Sequence, residues 1–351
     1  MFMKRLVNAL KTAALLGMGL LCLIRTDLAS RGVNVGVQRC LGVMIPSLYA
    51  MMIVSAMLVR SGIFSRRGNF LLFLFSQAAG YPVGTKMLMQ RADSGEISPR
   101  QAALLSGVCF GAGPAFVFGC VAMRLFGSER AGLLILSSGI VSNTIIYAVL
   151  LPSLNSIPSQ PLPPRKFTLS ADDAMDCIVS AGKSMGVICL TVTAFSAAAE
   201  FLRYLGIFPL LADLLSAVTG RSPKVCEKLL SAAFDVTAAA ELPSGDFTLL
   251  PAVSALVSFG GICVFAQLKA VCRGKLPVLP VIGIRTIAAV LSYILCRFAL
   301  PFAMLSETAP AAAAHLHKSP SPVPSVMLML MTAAVFRQRD LISGKKGGFQ
   351  Q

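Results

Sequence analysis

The chain lacks tryptophan, has two histidines, and carries charge on only 13% of its 351 residues, about half the share of a soluble domain. His315 and His317 lie together in a loop-like stretch without a further ligand cluster, so we expect no metal site. The ten cysteines form no CxxC pair and lie mostly in apolar runs, which predicts free thiols. No HExxH motif, Walker loop or Cys/His nucleophile pairing occurs, and we expect neither an enzyme nor a bound cofactor.

What the chain has is long apolar runs. Hydrophobic residues make up 56% of it, and the mean hydropathy is +0.76. Four runs of about twenty residues could each cross roughly 30 Å of hydrocarbon as a helix: 40–59, 101–123, 131–151 and 248–268. We therefore predict an all-α polytopic protein of a cell membrane, with about eight membrane passes.

Basic residues outnumber acidic ones, which gives a net charge of +16. They cluster in short loops and near both ends of the chain, for example at Arg66–Arg67 and Lys345–Lys346. This distribution is typical of membrane orientation and contact with anionic lipid. We expect anionic lipid as a partner, no nucleic acid, and both termini in the cytoplasm. The oligomeric state is left open, a homo-oligomer included.

The chain repeats itself around a Pro-rich stretch at 151–166. Residues 41–64 and 185–208 share seven identities at a constant offset of 144. The pattern A-A-x-x-P-x-G occurs at 78–84 and again at 239–245, and F-G-x-x-x-x-F occurs at 110–116 and at 259–265. Three matches in the same order predict an internal duplication.

The duplication divides the chain into five regions. They are an N-terminal membrane helix (1–24), a first repeat (25–152), a Pro-rich linker (153–169), a second repeat (170–302), and a C-terminal region (303–351) with a Pro/Ala-rich loop, a short apolar helix and a basic tail. Each repeat is expected to contain a helix, an interrupted segment, a Gly-rich helix and a further helix.

The interrupted segment of the first repeat reads FLLFLFSQAAGYPVGTKMLMQ, at 70–90. Inside hydrocarbon a helix is broken only where protein or a water-filled cavity covers the break, and paired breaks in two repeats indicate a transporter site. The opened backbone and the lysine favour an anion; a plain turn with the lysine reaching the headgroups is the alternative. The candidate substrate-binding residues are Gly80, Tyr81, Pro82, Gly84, Thr85 and Lys86.

The second interrupted segment carries acidic residues inside an apolar run, AAFDVTAAAELPSGDF. Charges within a membrane segment are expensive and usually functional. Asp235, Thr237 and Glu241 are therefore candidate substrate-binding residues. Arg285, within the last helix of this repeat, is expected to pair with Asp235 or Glu200 or to contact an anion.

Four further residues complete the candidate site. Gly113 permits close helix packing, and Pro114 removes a backbone hydrogen bond and predicts a kink. Asn143 and Gln267 can hydrogen-bond inside a bundle, where they either hold helices together or contact a ligand.

The motifs AAGYPVGTK, GAGPAFVFG, FDVT, LVSFGGICVFAQ and GIRTIAAVL, between about residues 30 and 300, resemble the YlbJ-type (SpoVV) sporulation integral membrane proteins. That group belongs to the nucleoside-recognition, or Gate, domain superfamily. The resemblance implies Gate-like repeats with re-entrant hairpins, and passage of the dianion dipicolinate across a forespore membrane. Lys86 matches the family's first motif, and Asp235-Val-Thr237 stands where the family has E-x-T. Phe110 stands where the family has asparagine, and the first hairpin is shorter.

We therefore predict a membrane permease for a small organic anion, with dipicolinate as the cargo that the resemblance implies. Two alternatives remain open. One is a nucleoside-type or cation-coupled permease, which the acidic residues of the second repeat favour. The other is a non-transporting membrane scaffold for assembly of the spore envelope.

Overall fold

The computed structural model describes residues 12, 16, 17, 19–60, 68–93, 95–155 and 170–304, and within these ranges it contains helices and no strand. Most of the predicted N-terminal membrane helix, the Pro-rich linker after residue 155 and nearly all of the C-terminal region lie outside the described residues.

In the first half, four short helical segments lie between two long helical stretches. The first stretch is α1 (Thr26–Arg39), which passes through a π-helical turn (Cys40–Met44) into α2 (Ile45–Arg60). The short segments are α3 (Gly68–Ala79), α4 (Val83–Asp93), α5 (Pro99–Val108), and a π-helical turn (Phe116–Ala122) continued by Met123–Leu125. The second long stretch is α6 (Glu129–Asn155).

The second half again begins and ends with a long helix. These are α7 (Ala171–Tyr204) and α12 (Val278–Met304). Between them lie α8 (Ile207–Thr219), α9 (Pro223–Phe234), two 3-10 turns (Val236–Glu241 and Phe247–Leu249), α10 (Leu250–Phe259) and α11 (Gly261–Val271).

Five helical stretches of the described chain are long and apolar enough to cross a membrane: Thr26–Leu58, Glu129–Leu154, Ala171–Tyr204, Phe247–Val271 and Val278–Phe302. Large apolar side chains on them point outward, such as Val149, Leu190 and Phe298, each more than 70% exposed. Such surfaces suit lipid rather than water. The chain is an all-α, multi-pass membrane protein.

Two of the predicted membrane segments contain a break. The expectation of one helix over 101–123 is wrong, whereas 248–268 lies within the span Phe247–Val271 and is interrupted locally. In the first run α5 ends at Val108 and the chain is non-helical at 109–113, where Gly111 and Gly113 lie. The second run divides at Gly260, whose φ of 88° is a left-handed conformation that glycine adopts readily. The composition of an apolar run does not show whether its helix is continuous or broken.

Contacts between the ends of helices define one face of the molecule, face A. Arg60 at the end of α2 forms an ion pair with Asp173 at the start of α7, with 2.7 Å between Nε and Oδ1. Lys275, before α12, pairs at 2.6 Å with Asp93 at the end of α4. Arg91 donates to Asn69 at 3.0 Å, so α3 begins and α4 ends at this same face.

The opposite face, face B, contains the start of α1 and the end of α7, where the Arg25 guanidinium lies 4.4 Å from the centre of the Tyr204 ring. Arg203 pairs there with Glu227 of α9 at 3.3 Å. The Gly245 amide, beyond the 3-10 turn that follows α9, donates to the Leu125 carbonyl at 2.6 Å. The hairpin α3–α4 thus starts and ends at face A, whereas the hairpin formed by α9 and the turn Val236–Glu241 starts and ends at face B.

Candidate functional site

The interruption of the first hairpin contacts the interruption after α5. α3 ends at Ala79 and α4 begins at Val83, and the Tyr81 amide donates to the Gly111 carbonyl at 2.8 Å. Gly80 has a φ of 79°, and a Cβ on it would lie 3.3 Å from the Gly113 nitrogen. The two unwound backbones therefore touch at positions where only glycine fits comfortably.

The interruptions of the second half meet the same point. A Cβ on Gly261 would lie 2.9 Å from the backbone nitrogen of Val236, and one on Gly260 would lie 2.6 Å from the Phe110 ring. Phe110 in turn stacks on Tyr81 with 4.7 Å between ring centres. All four helix breaks thus meet at one place.

Arg285 lies beside this convergence and is fully buried. Its Nε donates to the Ser258 carbonyl at 2.9 Å, and one terminal nitrogen donates to the Gly107 carbonyl at 3.0 Å and to Asn143 Oδ1 at 2.6 Å. The other terminal nitrogen donates to the carbonyl and the hydroxyl of Ser258. The guanidinium also lies 4.7 Å from the centre of the Phe110 ring. Every N–H of the side chain is engaged.

The charge of Arg285 is balanced by helix ends. Gly107 lies in the last turn of α5 and Ser258 in the last turn of α10, where carbonyl groups lack intrahelical partners. The C-terminus of a helix carries roughly half a negative charge, so two such ends offset one guanidinium. Within the described ranges no carboxylate lies at ion-pair distance from Arg285, and the predicted partners Asp235 and Glu200 pair with other arginines.

The two predicted amide side chains, Asn143 and Gln267, bond within the protein. Asn143 Nδ2 donates to Gln77 Oε1 at 2.8 Å, and Gln77 Nε2 donates to the Val108 carbonyl at 3.0 Å. Gln267 Nε2 donates to Cys263 Sγ at 3.3 Å within its own helix. A cavity of about 20 Å³ adjoins Asn143 and Arg285, enough for a water-sized group and too small for an organic anion.

A second charged cluster forms at the tip of the second hairpin. One terminal nitrogen of Arg39 lies 3.4 Å from Asp235 Oδ2 and 3.2 Å from Ser196 Oγ, and the other donates to Glu241. The Thr237 amide and hydroxyl donate to Asp235 at 3.1 and 2.8 Å. The guanidinium therefore ties both ends of the turn Val236–Glu241 to α1 and, through Ser196, to α7.

Arg39 is the site residue that sequence analysis missed. It immediately precedes the apolar run 40–59 and resembles a charge that flanks a membrane helix. The helix instead begins at Thr26, which puts Arg39 mid-span with its side chain 12% exposed. The sequence signal for a buried Arg39 is its spacing after Gly32 and Gly36, because residues three and four positions apart lie on the same face of a helix.

Lys86 occupies a separate position, one turn into α4. Its Nζ donates to the Ser180 and Ser184 hydroxyls of α7, each at 2.9 Å, and no carboxylate of the described chain lies within ion-pair distance. Ser184 and Ser196, the α7 residues at the two clusters, are twelve positions apart, about 18 Å along a helix. Lys86 and Arg39 therefore do not share one pocket.

The remaining predicted residues lie at the first helix break or at the break that follows α5. A Cβ on Gly84 would lie 2.5 Å from the Cys109 carbonyl oxygen, and the buried Thr85 hydroxyl has no hydrogen-bond partner among the described residues. Pro82 follows Tyr81 through a cis peptide bond. Pro114 is the first residue of the helix that resumes after 109–113.

Residues Gly182–Gly186 read GKSMG and match the GxSxG pattern of serine hydrolases, which sequence analysis overlooked. In that enzyme class the serine lies on a sharp strand-to-helix turn. Here Ser184 lies in the interior of the continuous helix α7, where backbone amides bond within the helix and form no oxyanion hole. The pattern lacks the structural context of a nucleophile.

The described residues contain no group of three or more histidine, cysteine or acidic side chains that could hold a metal ion. All ten cysteines are free, and eight of them are buried. No family model, curated protein or solved structure matches the chain. The geometry of the helix breaks and the charged side chains beside them are therefore the features that point to a function.

Proposed function

We propose that the protein is a membrane permease for a small organic anion. The observation that carries the proposal is the meeting of four helix breaks between hairpins that enter from opposite faces. Unwound backbone at membrane depth is tolerated only when protein or a water-filled cavity covers it. Discontinuous helices that meet near the midplane form the binding sites of many secondary transporters.

The matching lengths of the elements support two similar halves in opposite orientation. α3 and α9 each span 12 residues, α5 and α10 each span 10, and α6 and α12 each span 27. In the proposed arrangement six segments of the described chain cross the membrane, and the two hairpins are re-entrant. A further N-terminal pass at 1–24, and the total of about eight passes, stay predictions.

The choice of an anion rests on three basic side chains in the interior. Arg39, Lys86 and Arg285 are part-buried or buried. Of these three, only Arg39 has carboxylates at ion-pair distance among the described residues, those of Asp235 and Glu241. The motif resemblance supports dipicolinate as the cargo and a forespore membrane as the location. Contact of the basic loops with anionic lipid, and a homo-oligomer, are expectations of the same proposal.

In this proposal the conformation described is a closed one. The cavity of about 20 Å³ beside Arg285 cannot admit a ligand with a ring and two carboxylates. A permease of this design opens by moving one hairpin away from the centre, as lids and gates do in other transporters.

The direct test is uptake of radiolabelled dipicolinate into proteoliposomes, with succinate and uridine as comparison solutes. We expect dipicolinate uptake above that of empty liposomes, and its loss in Arg39→Gln. Arg31→Gln is the matched control, because Arg31 lies on the same helix, is exposed and pairs with Asp27. A folded wild type that moves none of the solutes would contradict the proposal and favour the scaffold alternative.

A cation-coupled permease is a second candidate. A single guanidinium, that of Arg39, faces the two carboxylates of Asp235 and Glu241. The surplus negative charge suits one proton or one monovalent cation. Uptake that requires a Na⁺ gradient or a proton gradient would support this candidate. Uptake that is the same with and without either gradient would contradict it.

A further inference from the structure

Helix α8 has an apolar face that the described residues leave uncovered. Its large apolar side chains with 40% to 85% exposure are Ile207, Leu210, Leu211, Leu214 and Val218. They recur at spacings of three and four residues, which places them on one side of the helix. Phe208 and Ala212 are buried and lie on a different side. The helix therefore has one face against protein and one apolar face without a protein partner among the described residues.

The position of α8 is at face B. It follows the end of α7, where Arg203 and Tyr204 make the contacts of face B, after a left-handed turn at Gly206. It ends before a second left-handed glycine, Gly220, and α9 begins at face B three residues later, with Pro223. The 13 residues of α8 extend over about 20 Å, less than the roughly 30 Å of hydrocarbon. The helix does not cross the membrane, so its uncovered face meets either water or the surface of the bilayer.

Both ends of α8 contact the first arm of the second hairpin. The Phe208 ring lies 5.8 Å from the Phe234 ring between centres, and Phe234 is the last residue of α9, next to Asp235. At the other end of α8, Thr219 Oγ1 lies 3.6 Å from Cys226 Sγ. The helix therefore packs along α9 from the hairpin tip towards face B.

The loop that follows α8 holds the returning arm of the same hairpin. One terminal nitrogen of Arg221 donates to the Thr248 hydroxyl at 3.2 Å, and the other donates to the Thr248 carbonyl at 3.0 Å. Arg221 also forms an ion pair with Asp246 at 3.8 Å. The Ser216 hydroxyl of α8 donates to the Arg221 carbonyl at 2.6 Å. Both arms of the hairpin are therefore attached to α8 and its loop.

The surface of a phospholipid bilayer is the partner that fits this helix. An amphipathic helix at the boundary of headgroups and acyl chains buries its apolar face in lipid and keeps its polar side in the headgroup layer. Asp213, the single charged residue of α8, is exposed at the edge of the apolar face. Lys224 and Lys228 are exposed one turn apart near the start of α9, and such side chains reach lipid phosphates.

We propose that α8 is an interfacial helix that binds the phospholipid surface at face B, and that it anchors the second hairpin to that surface. The inference goes beyond the proposed function, because it identifies lipid as a structural partner of the hairpin whatever solute the protein carries. Outward movement of the hairpin requires α8 to shift within the lipid, so the bilayer restrains the opening.

Depth-dependent fluorescence quenching tests the location, because the chain lacks tryptophan and an introduced indole is the only one present. Val218→Trp labels the most exposed of the five apolar positions, and Leu190→Trp, near the middle of α7, is the reference for the bilayer centre. The full chain is reconstituted into vesicles of phosphatidylcholine that is brominated at different acyl positions. We expect bromines nearest the headgroups to quench Val218→Trp most, and bromines nearest the bilayer centre to quench Leu190→Trp most.

Two results of this measurement would overturn the inference. If no brominated lipid quenched Val218→Trp, water or a second copy of the chain would cover the apolar face. If the deepest bromines quenched Val218→Trp most, α8 would lie inside the hydrocarbon rather than at its surface. Leu214→Trp, one turn earlier on the same face, repeats the measurement should Val218→Trp not fold.

Hydrogen exchange in lipid nanodiscs tests the anchoring role. Leu214→Glu places a charge on the face that contacts lipid, and we expect the segment 223–241 to exchange several-fold faster than in the wild type. Val218→Glu is a second variant with the same expected result. Asp213→Asn is the control, because it changes the charge at the edge of the helix and leaves the apolar face intact, and its exchange should match the wild type.

Exchange of α7 that is the same in all variants shows that the remainder of the protein is folded. Equal exchange of 223–241 in the wild type, Leu214→Glu and Val218→Glu would overturn the anchoring role. Neither experiment measures transport, so their failure would leave the proposed function standing, and a protein that transports no solute would leave this inference standing.

Discussion

Gly36 of α1 lies directly against Thr193 of α7, so that a Cβ on Gly36 would come within 2.5 Å of the Thr193 Cα. Gly32, one turn earlier, meets Ala197 at the same calculated distance. Small residues four apart allow two membrane helices to approach closely. Arg39 follows on the same helix face, and this close approach is what lets its guanidinium reach Ser196.

Gly36→Leu is expected to separate α1 from α7 and to displace Arg39 from Ser196 and Asp235. The clash is with backbone, so we expect a loss of about 3 kcal/mol or more in the free energy of unfolding, at the upper end of overpacking costs. The midpoint of thermal unfolding in detergent measures the effect.

Gly186→Ala provides the control for Gly36→Leu. Gly186 lies on the partner helix α7, and an added Cβ there meets no atom within 4 Å. We expect no destabilisation, and a gain of up to about 1 kcal/mol from the helix propensity of alanine. Equal midpoints for Gly36→Leu and wild type would show that the α1–α7 contact is not close-packed in the membrane.

Arg285→Met is expected to destabilise the protein rather than to alter ligand affinity alone. The substitution leaves the carbonyls of Gly107 and Ser258 and the amide oxygen of Asn143 without donors. Each buried acceptor without a donor lowers the free energy of unfolding by about 1–3 kcal/mol. We expect a total loss of about 3 kcal/mol or more, measured as a lower unfolding midpoint.

Arg203→Met serves as the comparison for Arg285→Met. Arg203 pairs with Glu200 and Glu227 at face B and is 29% exposed, so its loss should cost about 1 kcal/mol. If Arg285→Met unfolded at the wild-type temperature, the balance between Arg285 and the two helix ends would be refuted.

The sequence predicted the helical membrane class and the first hairpin break, and it did so through strong local signals. Long apolar runs identify membrane helices, and Gly80, Pro82 and Gly84 within one of them mark an interruption. The interruption at Gly260 was missed because a left-handed glycine carries no local signature inside an apolar run. Gly260 lies against the Phe110 ring and the next residue, Gly261, lies against the Val236 backbone, and both of these partners are distant in sequence.

The site was predicted less completely, because partners depend on tertiary contacts. The sequence identified Asp235 and Glu241 as acidic residues within a membrane segment. It gave no indication that both pair with Arg39, which lies about 200 positions earlier. It likewise could not show that Arg285 faces two helix ends. Whether a buried charge is balanced by a side chain or by a helix terminus is decided only when the helices are placed.

The opposite orientation of the two hairpins predicts which loops share a side of the membrane. Epitope tags inserted at Gly95 and Gly274 are expected on one side, and tags at Gly127 and Gly220 on the other. All four are loop glycines with open space around them, so insertion should be tolerated. Antibody binding to intact and permeabilised cells measures the side, and a Gly95 tag on the same side as a Gly220 tag would contradict the arrangement.

Lys86→Met is expected to reduce anion uptake without loss of stability. Lys86 is a part-buried cation held by two serine hydroxyls, and burial of a charge without an opposite charge is unfavourable, so an apolar replacement should leave the unfolding midpoint equal or higher. The cation would attract an anion that passes along α7 towards Arg39, and we expect dipicolinate uptake to fall at least tenfold, an effect of about 1.4 kcal/mol. Lys183→Met, an exposed change on α7, should alter neither quantity. A lower midpoint with proportionally lower uptake would instead assign Lys86 to the fold, because stability and transport would then have been lost together.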